Sequence, residues 1–541
     1  MFLNKNISER MFKMKKTNLF LAGALAASLM LTACGSKKET IQTSKSDLSG
    51  YPIKTDTQLT YWSAITGNVS ASTSNLGETP FAKELAEKTG VKVKYIHPPL
   101  GQENEQFSLL VASNELPDMI QWDWLTALGG PDASIGDKVI VKLNDYFSKY
   151  APNLTKVLAD NKDFDKMVKS DNGDYYVFPF LKGDEMLLTT SGMIVRQDWL
   201  DDLGLDAPKT VDDWENVLTA FRDKKGAVAP LTVKGVEYEV LFRLLNTHIE
   251  FYRENGKVVY GPLTPEYKQA VIKLKEWFDK GLLDKNFASV DNTILSANML
   301  NGKSGATFGT GGGCLGKWLQ TAQSTGSKVN LAGIPMYAAD GKSPSHFMYA
   351  SLPYSPWGSV AVSTACKDIP LAVKYLDYGY GEEGYMLNNF GIEGKSYNMV
   401  DGYPTFTKDI TNNPDGLTMS QAMSRYVRSC DSGPFVQAKE YIEQYYSMPQ
   451  QKKALESWTF GTDETLSTQM PQITMTADES DEFSTLYAEI KKVRDTMTTS
   501  FITGVVSIDK YDEFIQKLHQ LNVDKAIELE QSALDRYNSR K

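Results

Sequence analysis

Five tryptophans stand at the ends of predicted strands or in loops rich in glycine and proline. They are Trp62, Trp122, Trp124, Trp318 and Trp357. A flat indole packs well against the apolar C–H face of a sugar ring, and binding residues concentrate in loops at the ends of strands. We therefore expect these five side chains to serve as stacking platforms in a sugar-binding site; packing in the core is the alternative for each of them.

We find no motif in the sequence that predicts catalysis or a metal centre. The stretch Gly309–Lys317 (GTGGGCLGK) matches most of a P-loop, but Trp318 stands where Ser or Thr would hold magnesium. Asp171-Asn172-Gly173-Asp174 lacks the alternating ligand spacing of an EF-hand loop, so a simple turn is favoured. We predict no catalytic residue, no metal and no cofactor.

The composition is that of a globular protein with an acidic surface. The 541 residues are 41% hydrophobic and 23% charged, and the net charge of −10 argues against a nucleic-acid partner. Four cysteines are too few for a disulfide-dense scaffold. One of them falls in the leader described next, and we predict that Cys314, Cys366 and Cys430 are unpaired thiols.

The first 33 residues have the pattern of a signal peptide. A short lysine-rich region precedes an apolar run, which ends at Leu31-Thr32-Ala33-Cys34. This ending fits a lipobox, so we predict cleavage before Cys34 and lipid attachment to its sulfur; an ordinary signal peptide with an incidental cysteine is the alternative. Two acyl chains suffice for stable anchoring, and residues 34–55 form a polar tether. The lipid would be the protein's only attachment to the membrane.

Downstream of the tether, the hydrophobic pattern alternates between strands and helices. Thr79-Pro80 provides a helix start and Gly90 a helix end. The predicted order β-α-β-α-β favours a parallel sheet, in which ligands bind beyond the carboxyl ends of the strands. The predicted elements are the strand 58–65, the helix 79–90, the strand 91–96, the helix 103–116 and the strand 119–124.

Several of these segments resemble a known family. The lipobox, TGVKVKYIHPP, ELPDMIQWDW, the stretch Arg196–Leu200, the stretch Tyr375–Thr407 and the stretch Asp512–Tyr537 together resemble extracellular solute-binding lipoproteins of ABC importers. The likeness is to the large LplA-like group, which is related to oligosaccharide-binding proteins, including those for alginate. The related alginate binders carry a calcium loop, whose spacing the region around Asp171 lacks.

The resemblance implies an α/β protein with the two-lobed type II fold of periplasmic binding proteins, with ligand in the cleft between the lobes. We expect lobe one to comprise residues 56–138 plus 308–361, and lobe two residues 139–307 plus 362–541. Arg196, Glu393 and Tyr397 lie in family-like segments, where we expect them to bind ligand hydroxyls or a carboxylate. The alternative for Arg196 is a structural ion pair with Asp198.

The implied function is that of a monomeric, non-enzymatic substrate-binding component of an ABC transporter. It would capture an oligosaccharide in a hinged cleft and deliver it to the permease. It would stand on the extracellular face of the cell membrane, in an envelope of Gram-positive type. The alternatives are an extracellular carbohydrate-active enzyme, or a binder of peptides or of a sensory partner protein.

Overall fold

The computed structural model describes residues 41–540, so the predicted signal peptide, Cys34 and the first part of the tether lie outside the described residues. The strands are β1 Gln58–Trp62, β2 Lys92–Ile96, β3 Met119–Gln121, β4 Phe178–Lys182, β5 Ser191–Arg196, β6 Phe251–Glu254, β7 Lys257–Tyr260, β8 Ala306–Thr310, β9 Leu331–Ile334, β10 Tyr354–Val362, β11 Tyr397–Val400, β12 Tyr403–Phe406 and β13 Val436–Gln437.

The α-helices span Gly67–Ser70, Pro80–Thr89, Glu103–Ser113, Gly130–Gly136, Asn144–Tyr150, Pro152–Asp160, Lys162–Met167, Gln197–Leu203, Val211–Lys225, Val240–Leu244, Pro265–Asp279, Asn292–Leu300, Lys317–Thr325, Ile369–Asp377, Glu382–Phe390, Lys408–Thr411, Met419–Met423, Lys439–Tyr445, Pro449–Trp458, Thr462–Thr468, Ala477–Thr503, Tyr511–Gln520 and Val523–Ser539. Among the described residues, no helix combines the length and the apolar character needed to cross a membrane.

A six-stranded sheet forms the centre of the first lobe, in the order β13-β4-β10-β3-β1-β2. Strand β1 runs parallel to β2 and to β3, which confirms the predicted β-α-β-α-β opening. The sheet is mixed because β10 runs antiparallel to both β3 and β4. Strands β1, β3 and β4 therefore point the same way, and their carboxyl ends share one edge with the amino end of β10.

The sequence signals around the first crossover helix are also confirmed. The Thr79 hydroxyl accepts a hydrogen bond from the backbone N–H of Ala82, and Pro80 opens the helix. Gly90 ends it with a φ of 75°, and a Cβ there would stand 2.2 Å from the carbonyl oxygen of Ile53. Glycine is thus required at this position by both the conformation and the space.

The second lobe is built on the antiparallel sheet β8-β5-β9, with β5 fully buried in the middle. Its core is formed by the sheet and by the long helices Val211–Lys225, Pro265–Asp279 and Ala477–Thr503. Trp277 is 0% exposed, which confirms the core position that its helical spacing predicts.

The lobes divide the chain differently from the predicted boundaries. Strand pairing puts β4 in the first lobe, where lobe two was expected, and β9 in the second, where lobe one was expected. The expected boundaries after residues 307 and 361 fall inside β8 and β10. The chain passes between the two sheets at residues 183–190 and 350–353, which we call the connecting segments. This division depends on pairing between strands that lie far apart in the sequence. Local sequence patterns do not predict such pairing.

Gly192 allows β5 to pass beneath a tryptophan of the helix Pro449–Trp458. A Cβ on Gly192 would stand 2.3 Å from the Trp458 ring, whose indole N–H donates to the carbonyl oxygen of Met193 at 3.3 Å. We expect Gly192→Ala to lower the free energy of unfolding by about 1–3 kcal/mol, because the ring has to move. Urea denaturation measures this. Gly67→Ala is the control, since its Cβ meets nothing within 4 Å; equal losses in the two variants would contradict the packing argument.

A partly buried carboxyl in the last helix makes stability depend on pH. Burial, helped by the charge of Glu250, raises the pKa of Glu530 from its ordinary value of 4.5 to about 7. The folded state therefore binds more protons than the unfolded state, and stability falls as the pH rises from about 4.5 through 7.

We therefore expect Glu530→Gln to raise the free energy of unfolding at pH 8 by roughly 1–3 kcal/mol, with almost no gain at pH 4. Denaturation of both proteins across this pH range provides the test. Glu528→Gln, on the exposed side of the same helix, serves as the control. A gain that does not depend on pH would show that Glu530 is not the group responsible.

Candidate functional site

The lobes meet where the connecting segments run side by side. The backbone N–H of Lys182 donates to the carbonyl oxygen of Pro353 at 2.8 Å, and that of Ser351 donates to Leu188 at 2.8 Å. These segments leave the first sheet at the edge that holds the carboxyl ends of β1, β3 and β4. They enter the second sheet at the edge where β5 begins and β8 ends. The two edges are the walls of the cleft between the lobes, and they are the position expected for a ligand.

An aromatic cluster lies at this edge of the first sheet. We call it the tryptophan cluster, and it consists of Trp62, Phe107, Trp122, Trp124 and Trp357. The rings of Phe107 and Trp122 are nearly parallel, with centroids 4.3 Å apart, and Trp122 lies 5.0 Å from Trp357. Trp62 and Trp124 complete the cluster through Trp122 and Phe107 respectively. Four of the five predicted tryptophans thus come together.

Exposure distinguishes the members of the tryptophan cluster. The side chain of Trp357 is 46% exposed, whereas Trp62, Trp122 and Trp124 are at most 5% exposed. Of the three buried tryptophans, Trp122 contacts Trp357 directly, and Trp62 packs against Trp122. Trp357 is therefore the member that presents an aromatic surface large enough to stack on a ligand.

A distortion in β10 places Trp357 at the edge. The pairing of β10 with β4 shifts register between Ser355 and Val360, so the residues between them leave the regular ladder. The backbone N–H of Trp122 donates to the carbonyl oxygen of Ser359 at 3.1 Å. A Cβ on Gly358 would stand 2.7 Å from Phe180, so glycine lets the distorted strand pass this ring.

The opposite wall carries a pocket of about 140 Å³, which we call the polar pocket. It lies where Ser191 of β5 pairs with Thr310 of β8. Its polar lining is provided by Ser191, Lys234, Glu237, Glu239, Arg243, Thr310 and Tyr349. Tyr349 is 39% exposed and directly precedes the second connecting segment, and its ring packs edge-on against Phe308.

Arg243 provides an unused donor in the polar pocket. Its Nη1 donates to the carbonyl oxygen of Met348 at 3.0 Å, and its Nη2 contacts Glu239 at 3.4 Å. Its buried Nε has no hydrogen-bond partner among residues 41–540. Burial lowers the pKa of this guanidinium, which the carboxylate of Glu239 partly offsets. A buried donor without a partner is costly, and a ligand oxygen would satisfy it.

Sequence reasoning did not find the polar pocket. Its polar residues come from four separate segments, around Ser191, Lys234–Arg243, Thr310 and Tyr349. No spacing motif connects such distant positions. The one local signal is Tyr349, which lies in an aromatic and proline-rich stretch (MYASLPYSPW) between two strands.

The structure places Trp318 in the core of the second lobe, which corrects its expected exposure at the cleft. The ring is 1% exposed, packs with Leu295 and Leu319, and donates its indole N–H to Ser296 at 3.0 Å. The glycines before it form a π-helical turn rather than a loop at the cleft. A Cβ on Gly311 would stand 2.6 Å from Tyr446, so these glycines permit close packing.

Arg196 takes the structural role that was its alternative. Its Nε and Nη2 donate to the two carboxylate oxygens of Asp198 at 2.8 and 2.6 Å. Its guanidinium also lies 4.3 Å above the ring of Trp199, and Nη1 donates to the carbonyl oxygen of Met299. The side chain is 7% exposed, so these partners occupy its donors and leave little surface for a ligand.

Glu393 and Tyr397 line a different pocket, together with Glu84 and Lys88 of the first lobe. Tyr397 is 6% exposed and packs against Phe390. None of these residues belongs to the tryptophan cluster or the polar pocket. Contact of Glu393 and Tyr397 with a ligand stays a prediction.

The turn at Asp171 is held by arginines. Its carboxylate accepts hydrogen bonds from Arg536 at 2.9 Å and from Arg540 at 2.6 Å. Asp174 pairs with Lys142 at 2.5 Å. Cationic side chains thus neutralise the carboxylates of this turn. Cys314, Cys366 and Cys430 are free thiols within the described chain.

Comparisons with known proteins identify the family. Residues 73–386, more than half of the chain, match the bacterial extracellular solute-binding proteins. Lipoprotein LipO of Bacillus subtilis (strain 168) is 26% identical over 384 residues, which cover 68% of this chain and 72% of LipO. The fructooligosaccharide ABC transporter substrate-binding protein FusA of Streptococcus pneumoniae is 23% identical, with coverage of 97% of this chain and 98% of FusA.

The fold is likewise that of solved solute-binding proteins. The crystal structure of the alginate-binding protein AlgQ2 without calcium ion aligns with a TM-score of 0.68 and 19% identity, covering 88% of this chain and 98% of that one. This likeness confirms the predicted two-lobed type II fold. The chain therefore belongs to the family of bacterial extracellular solute-binding proteins.

Proposed function

We propose that this protein is the substrate-binding component of an ABC importer and that it captures an oligosaccharide between its lobes. The observation that carries the proposal is the pairing of two unlike walls across the cleft. On one wall the exposed ring of Trp357 rests on a buried aromatic cluster, and on the other Arg243 holds an unpaired donor beside carboxylates and hydroxyls. Sugars need both kinds of surface, because their rings have apolar faces and polar rims.

The mechanism follows from the connecting segments. They join the lobes at one edge, so bending there would bring the polar pocket toward Trp357 around a bound sugar. Closure excludes water, which strengthens the hydrogen bonds to the sugar hydroxyls. The closed form would present both lobes to the permease. We see no catalytic arrangement in the described part of the cleft and assign no reaction.

The relatives support this assignment. FusA is described as a fructooligosaccharide ABC transporter substrate-binding protein, and it matches nearly the full length of this chain. We further propose that Cys34 carries lipid and anchors a monomer to the extracellular face of the membrane. The sequence around Cys34 and the name of the relative LipO support the anchor.

Trp357→Ala tests the stacking surface. We expect the binding free energy for the oligosaccharide to become less favourable by about 1–3 kcal/mol, because one aromatic surface for stacking is lost. Native mass spectrometry of the purified protein identifies a co-purified sugar, and calorimetry with that sugar measures the change. Trp277→Phe, in the core of the second lobe, should bind as the wild type does. An unchanged affinity in a folded Trp357→Ala protein would remove this ring from the site.

Arg196→Met separates the structural role from the binding role. Because the change leaves Asp198 without its buried partner, we expect the free energy of unfolding to fall by about 2–4 kcal/mol. The folded protein should still bind the sugar normally. Arg222→Met, which breaks the more exposed pair with Asp223, is the control and should cost less than about 1 kcal/mol. Lost affinity with unchanged stability would instead place Arg196 at the ligand.

A further inference from the structure

We propose that the cleft selects uncharged oligosaccharides over those that carry carboxylates. This inference rests on the proposed function and names the class of sugar. The distinction is a real one among the similar proteins, since FusA is described as binding fructooligosaccharides and AlgQ2 as binding alginate, which is a polymer of sugar acids.

The cations of the polar pocket already have anionic partners. Lys234 pairs with Glu237, and Arg243 contacts Glu239 at 3.4 Å. These two pairs leave the pocket with no net positive charge. A sugar carboxylate would have to give up its water without gaining an unpaired cation, which is unfavourable in a partly buried site.

The geometry of Arg243 also fits a hydroxyl better than a carboxylate. A carboxylate is held best by two adjacent N–H groups of one guanidinium. In Arg243, Nη1 is used by the carbonyl oxygen of Met348 and Nη2 faces Glu239. Nε is left without a partner among residues 41–540. A carboxylate that bridged Nε and Nη2 would have to compete with Glu239 for Nη2, whereas a hydroxyl oxygen needs Nε alone.

Among the charged groups of the pocket, the carboxylates are more exposed than the cations. The side chains of Glu237 and Glu239 are 34% and 39% exposed, whereas those of Lys234 and Arg243 are 17% and 18% exposed. Exposed carboxylates accept hydrogen bonds from sugar hydroxyls and repel a sugar acid.

Among the described residues, the other charged groups at the cleft edge are mostly acidic. Lys182 ends β4 at this edge, and burial, which disfavours its charged form, lowers its pKa to about 8. The tryptophan cluster is uncharged, and Asp123 stands in the chain between two of its members. The first connecting segment carries Asp184 and Glu185, of which Asp184 lies 3.8 Å from Lys439. The charges around the cleft are thus mostly balanced or negative, and a neutral ligand fits them best.

The experiment measures binding to two panels by native mass spectrometry and calorimetry. One panel holds neutral oligosaccharides, among them fructo-, galacto- and manno-oligosaccharides. The other holds oligogalacturonates and alginate oligomers of the same lengths. We expect a neutral sugar to bind at least 10-fold more tightly than any uronate, with an affinity that changes less than 2-fold between 50 mM and 500 mM NaCl.

A specificity variant makes the test sharper. Glu239→Gln removes the anion that faces Arg243, so uronate binding should improve relative to neutral binding by at least 5-fold. Glu528→Gln, far along the chain in the last helix, should leave the ratio unchanged, and thermal denaturation checks that both variants fold. Equal or tighter binding of a uronate by the wild type overturns this inference and leaves the proposed function intact. Binding of peptides, with no sugar bound from either panel, overturns both.

Discussion

The hydrogen bonds between the two connecting segments fix where the lobes can meet. Ser351 bonds to Leu188 and Lys182 to Pro353, so β4 leaves the first sheet beside the point where β10 enters it. Because β10 is antiparallel to β3 and β4, that point lies at the carboxyl edge of the sheet. The tryptophan cluster and the polar pocket are brought to one cleft by this arrangement of strands, although the residues that form them are far apart in sequence.

In the proposed function, the two walls would contribute differently to binding. Trp357 would offer a flat apolar surface, and it packs against Trp122, which in turn stacks on Phe107. The polar pocket would orient the ligand through the donor of Arg243 and through two carboxylates, whose charges are balanced by Arg243 and Lys234. In the proposed mechanism, bending between such walls would cover the apolar face and the polar rim of a sugar in one closing motion. Gly192 of the second sheet packs closely against Trp458.

Local sequence patterns predicted the parts of the fold that local interactions decide. The sequence predicted the helix from Pro80 to Thr89, its N-cap at Thr79 and the glycine that ends it. It also predicted the parallel pairing of β1 with β2 and β3. Trp62 at the end of β1, and Trp122 and Trp124 after β3, could be placed at one edge for the same reason.

Pairing between strands far apart in the sequence could not be predicted. The lobe boundaries depend on the return of β10 to the first sheet. The burial of Trp318 depends on a glycine-rich turn that packs against tyrosines rather than opening to the cleft. Arg243 gave no signal, because an arginine in a short helix gains its role only from Met348, Glu239 and Tyr349 around it.

A crystal structure of the protein with its bound sugar would show where the ligand lies. We expect a neutral oligosaccharide between the lobes, with one ring stacked on Trp357 and a hydroxyl oxygen within hydrogen-bond distance of Nε of Arg243. A sugar bound instead in the pocket of Glu84, Glu393 and Tyr397, with Trp357 and Arg243 left free, would contradict this expectation.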